Sequence, residues 1–338
     1  MRTDFLYLLI CLLFARAACG QENLDRVFHC THAETGQDVQ EIATVIRLIT
    51  GIQQVPVDTA KRSLAVHGTA SQIDLAEWLF NELNNPPGRT HDSARHEYRM
   101  PGSGDDAIRV FYLAHTGTLQ QFEELVTMVR AIVDIRWLFT YAAPKAVVVR
   151  AKADQIAMAE WMFNELAQAP DGQYPATRNQ HSDIYEYPLQ YGPDNVVRVF
   201  YVKSAETQQD FQELATLIRG VTDARRHFTY FAPRAMAVRG TPDQLALTEW
   251  LLNELDKPSN LGPFEYQVAM GNDPETLVRI YYLTHTETLQ GFQDIVTQVR
   301  SATGIRRAFT YSRPRAVVLR GAPSQIALAD RLFRELDR

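Results

Sequence analysis

The chain has 338 residues, of which 46% are hydrophobic and 22% charged, and its formal net charge is −6. This is the composition of a folded protein and excludes a disordered or fibrous one. A net negative charge also argues against a nucleic-acid partner, because phosphate binding needs a surplus of Lys and Arg on the surface.

Residues 1–20 predict a secretion signal. Arg2 supplies a short basic region, residues 5–15 form an apolar run without a charge, and Ala15, Ala17, Ala18 and Gly20 provide small residues for cleavage. The run is too short for a comfortable membrane span, and no later stretch approaches eighteen apolar residues. The alternatives are an uncleaved anchor, or lipidation of Cys19, although Arg16 stands where a lipidation signal wants an aliphatic residue. Cleavage leaves Cys30 as the single thiol, placed on a strand where it reads as a small buried hydrophobe. With no disulfide framework to draw on, the fold must rest on apolar packing.

The rest of the chain is internally repeated. Arg26-Val27-Phe28, Arg109-Val110-Phe111-Tyr112, Arg198-Val199-Phe200-Tyr201 and Arg279-Ile280-Tyr281-Tyr282 open four segments, their arginines 83, 89 and 81 residues apart. Residues 198–256 align with 279–337 without a gap at 28 identities in 59 positions, which marks duplication of a folded unit. The last helix of each copy carries Trp78, Trp161 and Trp250, with Arg331 in the fourth. The expected organisation is a divergent first module at 24–86, then modules at 95–170, 184–258 and 264–338. The linkers 87–94, 171–183 and 259–263 separate them, in a region rich in Pro, Gly, Asn and Asp.

In chain order each copy opens on a β-branched and aromatic strand. Thr35, Thr118, Thr207 or Thr288 then caps a helix, with Gln121 completing a capping box in the second copy. Phe122, Leu125, Val126 and Val129 give that helix one apolar face, and Arg47, Arg130, Arg219 or Arg300 closes it at the negative end of its dipole. Two strands follow, joined by short turns such as Ala142-Ala143-Pro144-Lys145. A second helix starts at signals such as Thr241-Pro242-Asp243-Gln244. The fold class is therefore α+β, four tandem two-layer β-α-β-β-α modules. The first strand is expected to pair parallel to another through a right-handed helical crossover, with both helices on one face. Copies two to four have a further leading strand within residues 96–100, 185–189 and 264–268, which copy one lacks.

Val199-Phe200-Tyr201-Val202-Lys203-Ser204-Ala205, Glu213-Leu214-Ala215, a hairpin, and then Gln244-Leu245-Ala246-Leu247 leading to Glu254-Leu255-Asp256 resemble the periplasmic N-domains of secretins. Short N-terminal domains of TonB-dependent receptors look similar. The resemblance spans each copy and implies domains that stack into rings and bind partner proteins of secretion or uptake machinery. Nothing in the chain reads as a secretin pore domain. The hairpin strand is Ala-Val-Val-Val at 146–149 and Ala-Met-Ala-Val at 235–238, where the family has a pattern like Asn-Leu-Ile-Val.

No motif for catalysis, phosphate binding or zinc is present. His29 and His32 flank Cys30 but point to opposite faces of an extended strand, and His32, His115 and His285 recur at one position that holds Ser204 in the third copy. These histidines read as structural. Glu123-Glu124 and the pair Glu77 and Glu82 read as charged outer faces of helices. The hairpin strands are the candidate interaction surface: Arg136, Phe139 and Tyr141, then Arg225, Phe228 and Tyr230, then Arg306, Phe309 and Tyr311. Alternation puts each Phe and Tyr on one face, which is either a core face or an open aromatic one. Arg331 and Arg334 add positive charge to the last helix. Charge is uneven: residues 26–86 hold four basic against seven acidic residues, net −3, and residues 279–338 hold ten against five, net +5. The function expected is a non-catalytic, cofactor-free, secreted or periplasmic repeat protein that binds protein partners, or itself head to tail, in the cell envelope. The alternative is an extracytoplasmic protein that holds peptide, glycan or cell-wall polymer on open sheet faces, with a hydrolase as a more distant reading.

Overall fold

The computed structural model describes residues 23–85, 96–100, 106–167, 185–189, 194–256, 264–270 and 273–338. The predicted signal and the three predicted linkers lie outside the described residues. The first copy comprises β1 (Asn23–His29), α1 (Gly36–Thr50), β2 (Val57–Asp58), β3 (Ser63–Thr69) and α2 (Ala70–Asn84). The second comprises β4 (Glu97–Arg99), β5 (Asp106–Tyr112), α3 (Leu119–Val133), β6 (Trp137–Tyr141), β7 (Ala146–Lys152) and α4 (Ala153–Ala167). Next come β8 (Tyr185–Pro188), β9 (Val196–Tyr201), α5 (Gln208–Thr222), β10 (Arg226–Tyr230), β11 (Ala235–Gly240) and α6 (Pro242–Leu255). The last run is β12 (Phe264–Met270), β13 (Asp273–Tyr282), α7 (Leu289–Thr303), β14 (Arg307–Tyr311), β15 (Ala316–Gly321) and α8 (Pro323–Leu336). The α+β class and the order of elements within each copy are as the sequence predicts.

Local chemistry explains the boundaries. Thr35, Thr118, Thr207 and Thr288 are N-caps whose hydroxyls accept the amide of the third helical residue. Asp38, Gln121 and Asp210 return the bond to the cap amide, completing three capping boxes. Gly51, Asp134, Asp223 and Gly304 end these helices in the left-handed region. The hairpin turns reuse that conformation at Arg62, Lys145, Arg234 and Arg315. Three of these arginines offset the backbone cost by donating to carbonyls of the loop before the first helix: Arg62 to Glu34, Arg234 to Lys203, and Arg315 to Thr286 and Glu287.

One expectation is corrected. No parallel pair occurs among the described strands; the first strand of each copy pairs antiparallel with the third. The sheet orders are β1-β3-β2, β4-β5-β7-β6, β10-β11-β9-β8 and β12-β13-β15-β14. The second hairpin strand takes the central place, so the first strand and the first hairpin strand run the same way two positions apart without bonding. The leading strands β4, β8 and β12 fill the outer edge beside β5, β9 and β13.

The chain divides into two compact units, one holding residues up to Ala114 with Arg136–Ile156, the other His115–Ile135 with Ala157–Arg338. In the first unit α1 and α2 lie between two sheets. Phe28, Leu64 and Val66 meet Ile42, Ile46 and Leu79 on one side, and Ile108, Val110 and Val148 close the same core on the other. The second unit repeats the arrangement. There α5 and α6 lie between Phe200, Met236 and Val238 of one sheet and Val278, Ile280 and Val318 of the next. The opposite face of that last sheet, with Tyr281, Val317 and Leu319, packs on Phe292, Val299 and Phe333 of α7 and α8. A helix pair used on both sides needs a broad apolar surface, and α1 and α5 each bury seven residues against four in α7. A strand covered on both faces reads as a continuous apolar run, which explains Ala-Met-Ala-Val at 235–238; Ala-Val-Val-Val at 146–149 is buried as well.

Candidate interaction surface

The hairpin aromatics sit inside these layers. Tyr141, Tyr230 and Tyr311 are buried, and Phe139, Phe228 and Phe309 are half-buried. Tyr141 and Phe139 pack into the core built on α1 and α2, and Tyr311 and Phe309 into the core built on α5 and α6. The face that alternation assigned to Phe and Tyr is thus a packing face toward the preceding copy's helices. Burial pushes the Tyr141 hydroxyl up beyond the usual phenol range, helped by the nearby carboxylates of Asp38 and Glu41.

Three polar contacts recur at every such junction and set its register. A carboxylate on the first helix accepts an amide of the incoming hairpin turn: Glu41 from Ala142 at 2.9 Å, Glu124 from Phe231 at 2.9 Å and Glu213 from Ser312 at 3.0 Å. Burial raises the Glu124 carboxyl above its ordinary value, while the Phe231 amide pulls it down. An arginine of the third strand donates to carbonyls near the helix end: Arg150 to Ile49 at 3.1 Å, Arg239 to Ile132 at 3.2 Å and Arg320 to Val221 at 2.6 Å. A first-strand tyrosine donates to the second helix: Tyr112 to Glu82 at 2.6 Å, Tyr201 to Glu165 at 3.3 Å and Tyr282 to Glu254 at 2.9 Å. The recurring tryptophan completes the junction against the leading strand, as Trp78 on Tyr98, Trp161 on Tyr187 and Trp250 on Tyr266, with ring centroids 5.4, 5.5 and 5.2 Å apart. Sequence reasoning took Glu124 for a solvated charge and passed over the others. Their recurrence at fixed offsets from the capping Thr was the available signal.

The remaining predicted site residues are exposed: Arg136, Arg225, Arg306, Arg331 and Arg334. Arg136 lies over the Trp137 ring, 5.2 Å from its centroid. Arg331 occupies the tryptophan position on α8, where no leading strand follows among the described residues, and Arg334 donates to the Asp330 carbonyl at 3.0 Å. Cys30 is buried, and burial raises its thiol. His29, His32 and His285 are exposed; no group of three His, Cys, Asp or Glu is placed to hold a metal among the described residues.

A concavity of about 430 Å³ opens between the end of β13 and α8, lined in part by Arg279, Tyr281, His285, Asp330, Arg334 and Asp337. Most of its charged groups are paired with one another. Arg279 pairs with Glu265 and Asp330, and the Tyr281 hydroxyl donates to Asp330 at 2.8 Å. Asp337 accepts the Thr284 and His285 amides and the Thr286 hydroxyl, bonds that hold its carboxyl below the usual range against the opposing effect of burial. No helix of the described residues is long and apolar enough to cross a membrane.

No family model matches the chain, and no curated protein does. Among solved structures, the N-terminal domain of the secretin XcpQ from Pseudomonas aeruginosa is similar at 14% identity, covering 45% of this chain and 70% of that one, with a TM-score of 0.18. ExeD of Aeromonas hydrophila is similar at 14% identity over 90% of this chain and 60% of that one, with a TM-score of 0.17. The structure of XcpQN012 is similar at 11% identity over 69% and 99%, with a TM-score of 0.22.

Proposed function

We propose that this is a non-catalytic repeat protein, exported through its N-terminal signal, that works in the periplasm or outside the cell by binding other proteins of an envelope assembly. One observation carries the reading. The residues that recur from copy to copy serve the junctions between sheets and helices, and most charged groups of the concavity beside β13 and α8 are paired with one another. A chain whose repeated chemistry is spent on its own packing is a scaffold, and what it offers outward is an exposed arginine at the equivalent place of three copies, Arg136, Arg225 and Arg306. Arginine beside an aromatic ring, as at Arg136 and Trp137, is the kind of pair that anchors protein interfaces.

Head-to-tail self-association is a second reading, favoured by the acidic first copy and by the basic fourth copy, whose last helix carries Arg331 and Arg334. Photo-crosslinking groups at positions 136, 225 and 306 in the exported protein are expected to capture envelope proteins, or further copies of this chain if the second reading holds. Retention of the chain in the cytoplasm, or adducts to glycan or small molecules only, would overturn the assembly role.

A further inference from the structure

We infer that the outer edge of β1 is a docking slot for an extended segment of a partner protein that carries a carboxylate between two aromatic residues. The inference rests on the protein-binding reading above and names the site and the partner's chemistry.

The argument comes from the same slot in the other three copies, where it is filled. β4, β8 and β12 each add an antiparallel strand beside β5, β9 and β13. The three strands share one motif, aromatic-Glu-Tyr: His96-Glu97-Tyr98, Tyr185-Glu186-Tyr187 and Phe264-Glu265-Tyr266. Their register is fixed too, with Glu97 opposite Arg109, Glu186 opposite Arg198 and Glu265 opposite Arg279. Each glutamate pairs with the arginine facing it. Arg198 and Arg279 also take a second carboxylate from their own second helix, Glu249 at 3.0 Å and Asp330 respectively.

The first copy keeps the receiving half of this arrangement. Arg26 stands at the position of Arg109, Arg198 and Arg279, and Glu77 on α2 stands at the position of Glu249 and Asp330, 3.7 Å from it. What is missing among the described residues is the strand: β1 bonds β3 on one side only. The consequence shows in the arginine. The Arg26 side chain is 59% exposed, against 15% for Arg109, 20% for Arg198 and 22% for Arg279. Six of the seven β1 residues are exposed, including Val27 at 59% and Leu24 at 44%. A seven-residue edge with unpaired backbone groups is a template for strand addition. The arginine fixes both the register and the charge of what it accepts. The three segments of this sequence that carry the motif already lie beside β5, β9 and β13, so the proposed occupant is a segment of another protein.

The probe is a fluorescent peptide of residues 183–191, Asp-Ile-Tyr-Glu-Tyr-Pro-Leu-Gln-Tyr, titrated into the full exported chain. It is expected to bind and to protect, in hydrogen exchange, those β1 amides that β3 leaves unpaired. Arg26→Glu should weaken it about tenfold or more, and a peptide with Arg in place of its Glu should recover binding on that variant alone. Equal binding of both peptides to both proteins, or β1 amides already protected in the free chain, overturns the inference. If the peptide does not bind while crosslinking at positions 136, 225 and 306 still captures proteins, the slot is wrong and the scaffold reading stands.

Discussion

His227 is a residue of the hairpin strands whose chemistry runs against its position. Leu138 and Ala308 stand at the same place in the second and fourth copies, yet the third buries an imidazole whose Nε2 has no protein partner among the described residues. Burial, with the nearby Arg219 cation, pushes its pKa down to about 4. An unfolded histidine titrates near 6.5, so between about pH 6.5 and 4 the unfolded chain binds a proton that the native one refuses. Stability is therefore full above about 6.5 and falls as pH drops through that window, by about 3 kcal/mol. His227→Leu should remove this loss, so that chemical denaturation at pH 5 and pH 7.5 gives midpoints closer together than in wild type. An unchanged pH dependence would mean that other groups titrate in the window.

At the scale of elements, most of the fold was legible because it is written in local signals: threonine caps, basic last turns, proline-bearing turns and period-two strands. Strand order was not legible. Connection lengths alone do not say whether the first or the second hairpin strand lies beside the opening one, although the buried apolar run at 146–149 suits a central strand. The hairpin aromatics were visible as a shared face, but their partner was not, because the helices that cover them belong to the preceding copy. The same blindness applied to Glu123-Glu124, which a helical wheel reads as two solvated charges. Glu123 is exposed, whereas Glu124 accepts the Phe231 amide. Glu124→Ala leaves that amide without its acceptor and should cost about 1–3 kcal/mol. Glu123→Ala should stay within about 0.5 kcal/mol of wild type. Glu124→Gln keeps an acceptor and should recover part of the loss in equilibrium unfolding. Equal effects at 123 and 124 would remove the junction role of this carboxylate.

At the scale of the whole molecule, the faces of the first sheet and of the last helix pair differ from those between copies. The face of α5 that receives the next sheet uses Leu217 and Val221, both buried, with Trp250 of α6 beside them. At the same offsets α7 and α8 carry Gln298, Ala302 and Arg331, all exposed. The outer face of the first sheet is altered in kind. Asp25 and His67, 2.7 Å apart, replace the Ile108 and Arg150 of the second copy, and His29 replaces Tyr112. Polar outer faces of this sort are what keeps a stacked repeat soluble, since an apolar one would accept another sheet from any neighbour. Any contact between these two ends in the wild-type protein is then electrostatic and fades as salt screens it. Restoring the interior residues with Gln298→Leu, Ala302→Val and Arg331→Trp should change the character of the association as well as its strength. The variant should form larger species in light scattering at both low and high salt, because buried apolar area is not screened. A triple variant that stays as monomeric as wild type at high salt would show that the last helix pair does not end in a receiving face.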